Sequence, residues 1–264
     1  MQVQANGITI NYTLDGPANA PVVTLSHSLA CDVTMWDPQM AMLTAKYRVL
    51  RFDTRGHGKS SAPAGAYTLD MLAEDARGLL KALGIQKTHW IGLSMGGMIG
   101  QMLALQSPGL LQSLTICDSS SRVPPEARPM WQERIDTAKS KGMAALVDST
   151  LGRWFTEPFL KSQPAKIEPI RKLILNTPVD GYCGCGQAIS LLDNTDKLPA
   201  IKLPTLIVVG RQDVGTPVAA SEVMHAKIAG SKLVIIEDAS HISNVEQPEA
   251  FNKAIGDFLA QVAR

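Results

Sequence analysis

Apolar and polar residues alternate along Ile8-Thr-Ile10-Asn-Tyr12, and the Asn6-Gly7 pair before them is a combination that two-residue hairpin turns select. Antiparallel strands at one edge of a sheet are therefore predicted. Short, nearly continuous apolar runs follow at Pro21–Ser26, Tyr47–Phe52, His89–Leu93, Leu111–Cys117, Pro204–Val209 and Lys232–Glu237. Each has the length of a strand buried on both faces. Helical spacing fills the gaps between them. Leu69, Leu72, Ala76, Leu79, Leu80 and Leu83 mark a helix over Thr68–Leu83, with Gly84 placed to stop it. Helices are also predicted over Pro38–Thr44, Met95–Leu105, Pro217–Ile228 and Pro248–Ala263.

Strands and helices that alternate in this way build an α/β fold, a mostly parallel sheet covered on both faces. The strand signal lapses from Arg122 to Lys197, a stretch richer in charge and proline that holds Trp131 and Trp154. It reads as an inserted helical cap. The chain then divides into a first core part (1–121), the cap (122–197) and a second core part (198–264). From Trp90 to Cys117 there is no Asp, Glu, Lys or Arg, which is long enough to raise the question of a membrane span. Gly92, Gly96, Gly97, Gly100, Pro108 and Gly109 break that stretch into strand, turn, helix and strand at the centre of the sheet.

Composition narrows the partners. At 264 residues the chain can bury a sizeable core, and with a formal net charge of +1 and no block of like charge it has no bulk attraction for nucleic acid or an anionic membrane. The expected partner is a small molecule. The four cysteines form no disulfide framework; Cys183-Gly-Cys185 is not C-x-x-C and has no second Cys/His pair nearby, so free thiols and no metal are expected. The opening Met-Gln-Val-Gln-Ala-Asn-Gly lacks the basic and apolar regions of a secretory signal, which points to the cytoplasm.

Gly92-Leu-Ser94-Met-Gly96 is G-x-S-x-G between a predicted strand and a predicted helix. In that setting the glycines permit a sharp turn, Ser94 stands at the strand's C-terminal end as a nucleophile, and the Met95 N–H opens the helix beneath it. Serine needs a base. Of five histidines, His89 falls inside a strand, His225 inside a helix, and His27 braces the loop after the Pro21 strand. His241, in the loop after the Lys232 strand, can reach the same sheet edge and is assigned as the base. Asp213, just past the Pro204 strand, gives the chain order Ser94, Asp213, His241 expected of this arrangement. Asp118, just past Cys117, competes with it for the acid role. A second oxyanion donor besides Met95 is expected from Leu29 in the loop Ser26-His27-Ser28-Leu29.

These landmarks, with Asp53-Thr-Arg-Gly-His-Gly58 and Gly210-Arg-Gln-Asp213, resemble the α/β-hydrolase family over essentially the whole chain. Within it the chain is most similar to the 3-oxoadipate enol-lactonases of bacterial aromatic degradation. The likeness is carried by Leu93-Ser-Met-Gly-Gly-Met-Ile-Gly-Gln101, Gly152-Arg-Trp-Phe-Thr156, Thr177-Pro-Val-Asp-Gly-Tyr182 and Ser240-His-Ile-Ser-Asn-Val-Glu-Gln-Pro248. One departure is His27-Ser28, where the family usually has His-Gly. The resemblance implies a cofactor-free serine hydrolase that opens a carboxylate-bearing lactone through an acyl-enzyme. A substrate carboxylate calls for cations, and the cap offers Arg128, Arg134 and Arg153, with Trp131 and Trp154 as apolar walls. Other readings stay open: a carboxylesterase, perhydrolase or carbon–carbon bond hydrolase of the same fold, or a small-molecule receptor that keeps the triad.

Overall fold

The computed structural model describes residues 1–262; the predicted end of the last helix at Ala263 lies outside the described residues. Eight strands form one sheet: β1 (Gln2–Ala5), β2 (Ile8–Asp15), β3 (Val22–Ser26), β4 (Arg48–Phe52), β5 (Thr88–Leu93), β6 (Leu111–Cys117), β7 (Thr205–Gly210) and β8 (Lys232–Ile236). Their order is β1-β2-β4-β3-β5-β6-β7-β8. The pairs β1/β2 and β2/β4 are antiparallel and the other pairs are parallel. Asn6 and Gly7 both take positive φ, 48° and 76°, as a tight primed hairpin turn requires.

Three helices, α1 (Asp37–Thr44), α2 (Leu69–Ala82) and α3 (Met95–Gln106), precede the insertion. Thr68 caps α2 by accepting the Met71 N–H at 3.0 Å, and Gly84 leaves it at φ 69°. Helices α4 (Arg128–Lys141), α5 (Val147–Trp154), α6 (Glu157–Ser162), α7 (Pro164–Asn176) and α8 (Val179–Ser190) lie between β6 and β7 and form the cap. The core resumes with α9 (Val218–Lys227), α10 (Ser243–Glu246) and α11 (Pro248–Val262). The short α10 falls in what the sequence reads as loop. The charge-free stretch becomes β5, α3 and β6, nearly all of it buried under other elements. Among the described residues no helix is long and apolar enough to cross a membrane.

Two seams fasten the cap. At the first, Arg55 makes a two-armed ion pair with Asp75 of α2 (2.7 and 2.6 Å), which fixes the Asp53–Gly58 loop. Helix α8 presents small residues to that loop. A Cβ on Gly181 would stand 1.9 Å from the Gly56 carbonyl oxygen, and one on Gly184 would meet the Tyr67 ring at 2.8 Å. The Cys185 thiol donates to the Arg55 carbonyl at 3.6 Å, so this cysteine acts as a small packing residue. At the second seam, Glu246 of α10 accepts the Thr156 N–H (2.9 Å) and hydroxyl with one oxygen and the Ser240 N–H (2.8 Å) with the other. The Ile242 N–H also donates to the Trp154 carbonyl at 3.1 Å, and the Ser240 hydroxyl to that of Arg153 at 3.0 Å. The end of α5 and the loop carrying His241 are therefore tied together.

A methyl group at position 181 has no room without parting α8 from the core loop. Gly181→Ala should cost about 1–3 kcal/mol, as overpacking of close-packed sites does; the urea midpoint of unfolding measures it.

Candidate active site

Ser94 is the first residue beyond β5, at φ 53° and ψ −112°, and α3 starts directly after it. A non-glycine residue rarely takes this conformation, and the neighbours enforce it. The Ser94 N–H donates to the Cys117 carbonyl (2.8 Å), and the Ser119 hydroxyl donates to the Ser94 carbonyl (2.8 Å). The turn is too tight for side chains on either side. A Cβ on Gly92 would lie 2.0 Å from the Gly96 carbonyl oxygen, and one on Gly96 would lie 2.0 Å from that of Ser26.

His241 lies in the loop after β8, and its Nδ1 is 2.8 Å from Asp213 Oδ2. Nδ1–H therefore donates to the carboxylate, and Nε2 is the nitrogen left free to take a proton. Asp213 also accepts the N–H groups of Gly215 (2.8 Å) and Thr216 (2.9 Å) and the Thr216 hydroxyl (2.6 Å). Burial alone would raise the Asp213 pKa, but the neighbouring imidazole and these donors outweigh it and hold the carboxyl below the usual carboxylate value. His241 moves the other way. Burial opposes its positive form, yet the charge and hydrogen bond of Asp213 prevail, and its pKa is raised.

Asp118, the competing acid, does not reach the imidazole by a hydrogen bond. Its oxygens accept the Gly210 N–H (2.8 Å) and the Ser243 hydroxyl. Full burial, with Asp213 nearby, pushes its pKa up to about 8. Asp118 is thus a strut between the end of β7 and the start of α10, and Asp213 is the carboxylate in contact with the histidine.

Ser94 and His241 open onto one cavity of about 500 Å³ between the sheet edge and the cap. Among the described residues the Ser94 hydroxyl makes no hydrogen bond, to His241 or otherwise, a looseness common in substrate-free sites. Leu29 lies on the same wall, and Met95 follows Ser94 at the first position of α3. Neither backbone N–H donates within the protein among the described residues, so both are free to serve an oxyanion. The loop that carries Leu29 is latched by two histidines. His57 Nε2 accepts the Ala30 N–H and His27 Nε2 accepts the Thr54 N–H, each at 2.9 Å. Accepting at Nε2 requires neutral rings, and burial lowers both pKa values, that of His57 to about 3.

A model of the alpha/beta hydrolase fold matches residues 21–248. The chain belongs to the α/β-hydrolase family. It is 36% identical over 262 residues to 3-oxoadipate enol-lactonase 1 of Acinetobacter baylyi, covering 99% of this chain and 97% of that relative. It is 30% identical over 258 residues, 96% of this chain and 97% of the relative, to a Stutzerimonas stutzeri protein provisionally named the carbamate hydrolase RutD. The crystal structure of an enol-lactonase from Burkholderia xenovorans LB400 superposes with a TM-score of 0.95 at 39% identity, covering 98% of this chain and 100% of that one.

The inserted helices supply the far wall of the cavity. Trp131, Arg134, Arg153 and Trp154 all line it, and the Trp154 ring lies 6.2 Å from that of His241. The Arg134 guanidinium stands 5.1 Å over the Trp131 ring and touches Met130 Sδ, while that of Arg153 contacts the Thr150 hydroxyl at 3.3 Å. Among the described residues neither guanidinium forms a salt bridge. Burial lowers both pKa values, and Arg134 adds its repulsion to Arg153. Arg128 is a correction. It opens instead onto a separate shallow groove with Pro125, Gln132 and Gln187. At roughly 100° per residue, Arg128 sits about 120° around α4 from Arg134, beyond the face turned to the cavity.

Sequence reasoning missed Thr216, His57, Ser243 and Glu246. Thr216 follows Asp213 by three residues, which is a turn-capping spacing, and its hydroxyl also lies 3.3 Å from His241 Nδ1. The other three act through contacts between segments far apart in the chain. Asp213→Asn should lower kcat by about 10⁴-fold, as loss of the orienting carboxylate does elsewhere, whereas Asp118→Asn should leave most activity because it spares that contact. In the wild type kcat/KM should rise with pH through a midpoint above 6.5, since protonated His241 cannot act as a base and its pKa is raised. Steady-state rates across pH check both.

Proposed function

We propose that this chain hydrolyses a small carboxylate-bearing lactone or ester through an acyl-enzyme, with 3-oxoadipate enol-lactone as its substrate. The observation that carries this reading is the pair Arg134 and Arg153. Two partly buried guanidiniums without carboxylate partners face the cavity that holds Ser94 and His241. Each is short of the counter-charge that a partly buried cation needs, and a substrate carboxylate supplies it. The likeness to enol-lactonases over nearly full length supports the same reading.

In the proposed mechanism the carboxylate docks on the arginines and the apolar ring packs between Trp131 and Trp154. Ser94 Oγ attacks the lactone carbonyl as His241 Nε2 takes its proton, and Asp213 stabilises the imidazolium. The N–H groups of Leu29 and Met95 receive the oxyanion. Collapse of the tetrahedral intermediate breaks the ring C–O bond, and His241 returns the proton to the departing enol oxygen. Ketonisation of the enol makes that step hard to reverse. Water, deprotonated by His241, then attacks the acyl-Ser94 ester and frees the dicarboxylate product.

Hydrolysis of the enol-lactone followed by ultraviolet absorbance, beside p-nitrophenyl acetate, tests this. Arg134→Ala and Arg153→Ala should each raise KM for the lactone on the order of tenfold or more, the worth of a charged hydrogen bond. KM for the uncharged ester should change by less than about twofold. Turnover of neutral esters or carbamates without lactone hydrolysis would defeat the substrate assignment and favour one of the other hydrolases of the fold. A single slow turnover that leaves Ser94 modified would favour a receptor.

A further inference from the structure

The residue next to Leu29 holds an unused donor. Ser28 is 1% exposed and lies on the wall of the catalytic cavity. Its hydroxyl is buried and has no hydrogen-bond partner among the described residues. Several other buried polar atoms share that state, including Ser26 Oγ, Thr54 Oγ1 and Thr115 Oγ1, but among them only Ser28 belongs to a residue lining this cavity. An unpaired buried hydroxyl is unfavourable, and glycine or alanine at position 28 would avoid the cost.

The backbone around Ser28 cannot swing to satisfy the hydroxyl. The Ser28 carbonyl accepts the His27 ring Nδ1–H at 2.7 Å and the Cys31 N–H at 3.3 Å, and the next peptide but one is pinned by His57 to Ala30 N. Rotation about χ1 is the freedom that remains. We propose that the Ser28 hydroxyl is a third hydrogen-bond donor to the substrate's carbonyl oxygen, beside the N–H groups of Leu29 and Met95. This rests on Ser94 as the nucleophile. A donor with no partner in the free protein gains one when charge develops on that oxygen, so its contribution falls on the transition state and not on the ground state.

Ser28→Ala and Ser28→Gly, assayed with Ser94→Ala on p-nitrophenyl acetate and on the enol-lactone, test the proposal. Both Ser28 variants should lower kcat about tenfold or more on both substrates, with KM within about twofold of wild type. Their thermal midpoints should hold or rise, because the hydroxyl gives up no partner in the free protein. Unchanged kcat with a raised midpoint would make Ser28 a passive buried group and overturn the proposal. A loss confined to Ser28→Gly would do the same by assigning the effect to backbone freedom, and a rise in KM on the lactone alone would place the hydroxyl on another part of the substrate. Activity retained by Ser94→Ala would instead remove the nucleophile reading on which the proposal stands.

Discussion

The sheet edge that carries Ser94 depends on a backbone contact that has no space for a side chain. Gly92 and Gly96 approach each other across the turn at Ser94, and Gly96 packs on the end of β3. This closeness lets β5 pass directly into α3 while Ser94 stays at φ 53°. Such a conformation costs on the order of 1–3 kcal/mol in isolation. The surrounding packing supplies it, since all of β5 and nearly all of α3 are buried and Ser94 is bonded to β6 through Cys117 and Ser119. The strained φ of Ser94, its place at the N-terminus of α3 and its proposed role as nucleophile all follow from one turn.

Around that turn, electrostatics sorts two buried acids into different tasks. Asp213 and Asp118 follow neighbouring strands, and Asp213 disfavours the charge of Asp118. Asp213 receives four donors including the imidazole and is held in the charged form. Asp118, more deeply buried and given two donors, is pushed toward its neutral form. The hydrogen-bond inventory, more than position along the chain, decides which acid pairs with His241. The two neutral histidines, His27 and His57, work on the same principle in reverse: burial removes their charge so that they can accept backbone N–H groups and set the Leu29 loop.

Much of this is legible in the sequence because it is local. Alternation at Ile8–Tyr12, the apolar runs and the Gly92–Gly96 motif each report on a few adjacent residues, and together they fix the order of elements and the sheet edge where chemistry gathers. What resists reading is long-range and angular. Arg128 shares the composition of the cap but sits on the wrong face of α4, and only the packing of that helix reveals which face is inward. Glu246 is buried and bonds to Thr156, 90 positions away, which no adjacent residue signals. Nothing local marks Gly181 and Cys185 as the small residues that let α8 lie against the core.

In the proposed mechanism Ser94 carries the acyl group in a cavity shaped for an anionic substrate. Intact-protein and peptide mass spectrometry of protein quenched in acid during turnover of the enol-lactone tests this. An adduct of the full substrate mass on the peptide containing Ser94, lost on standing and absent from Ser94→Ala, is the expected result. Sustained turnover with no covalent species, or with an adduct on another residue, would contradict it.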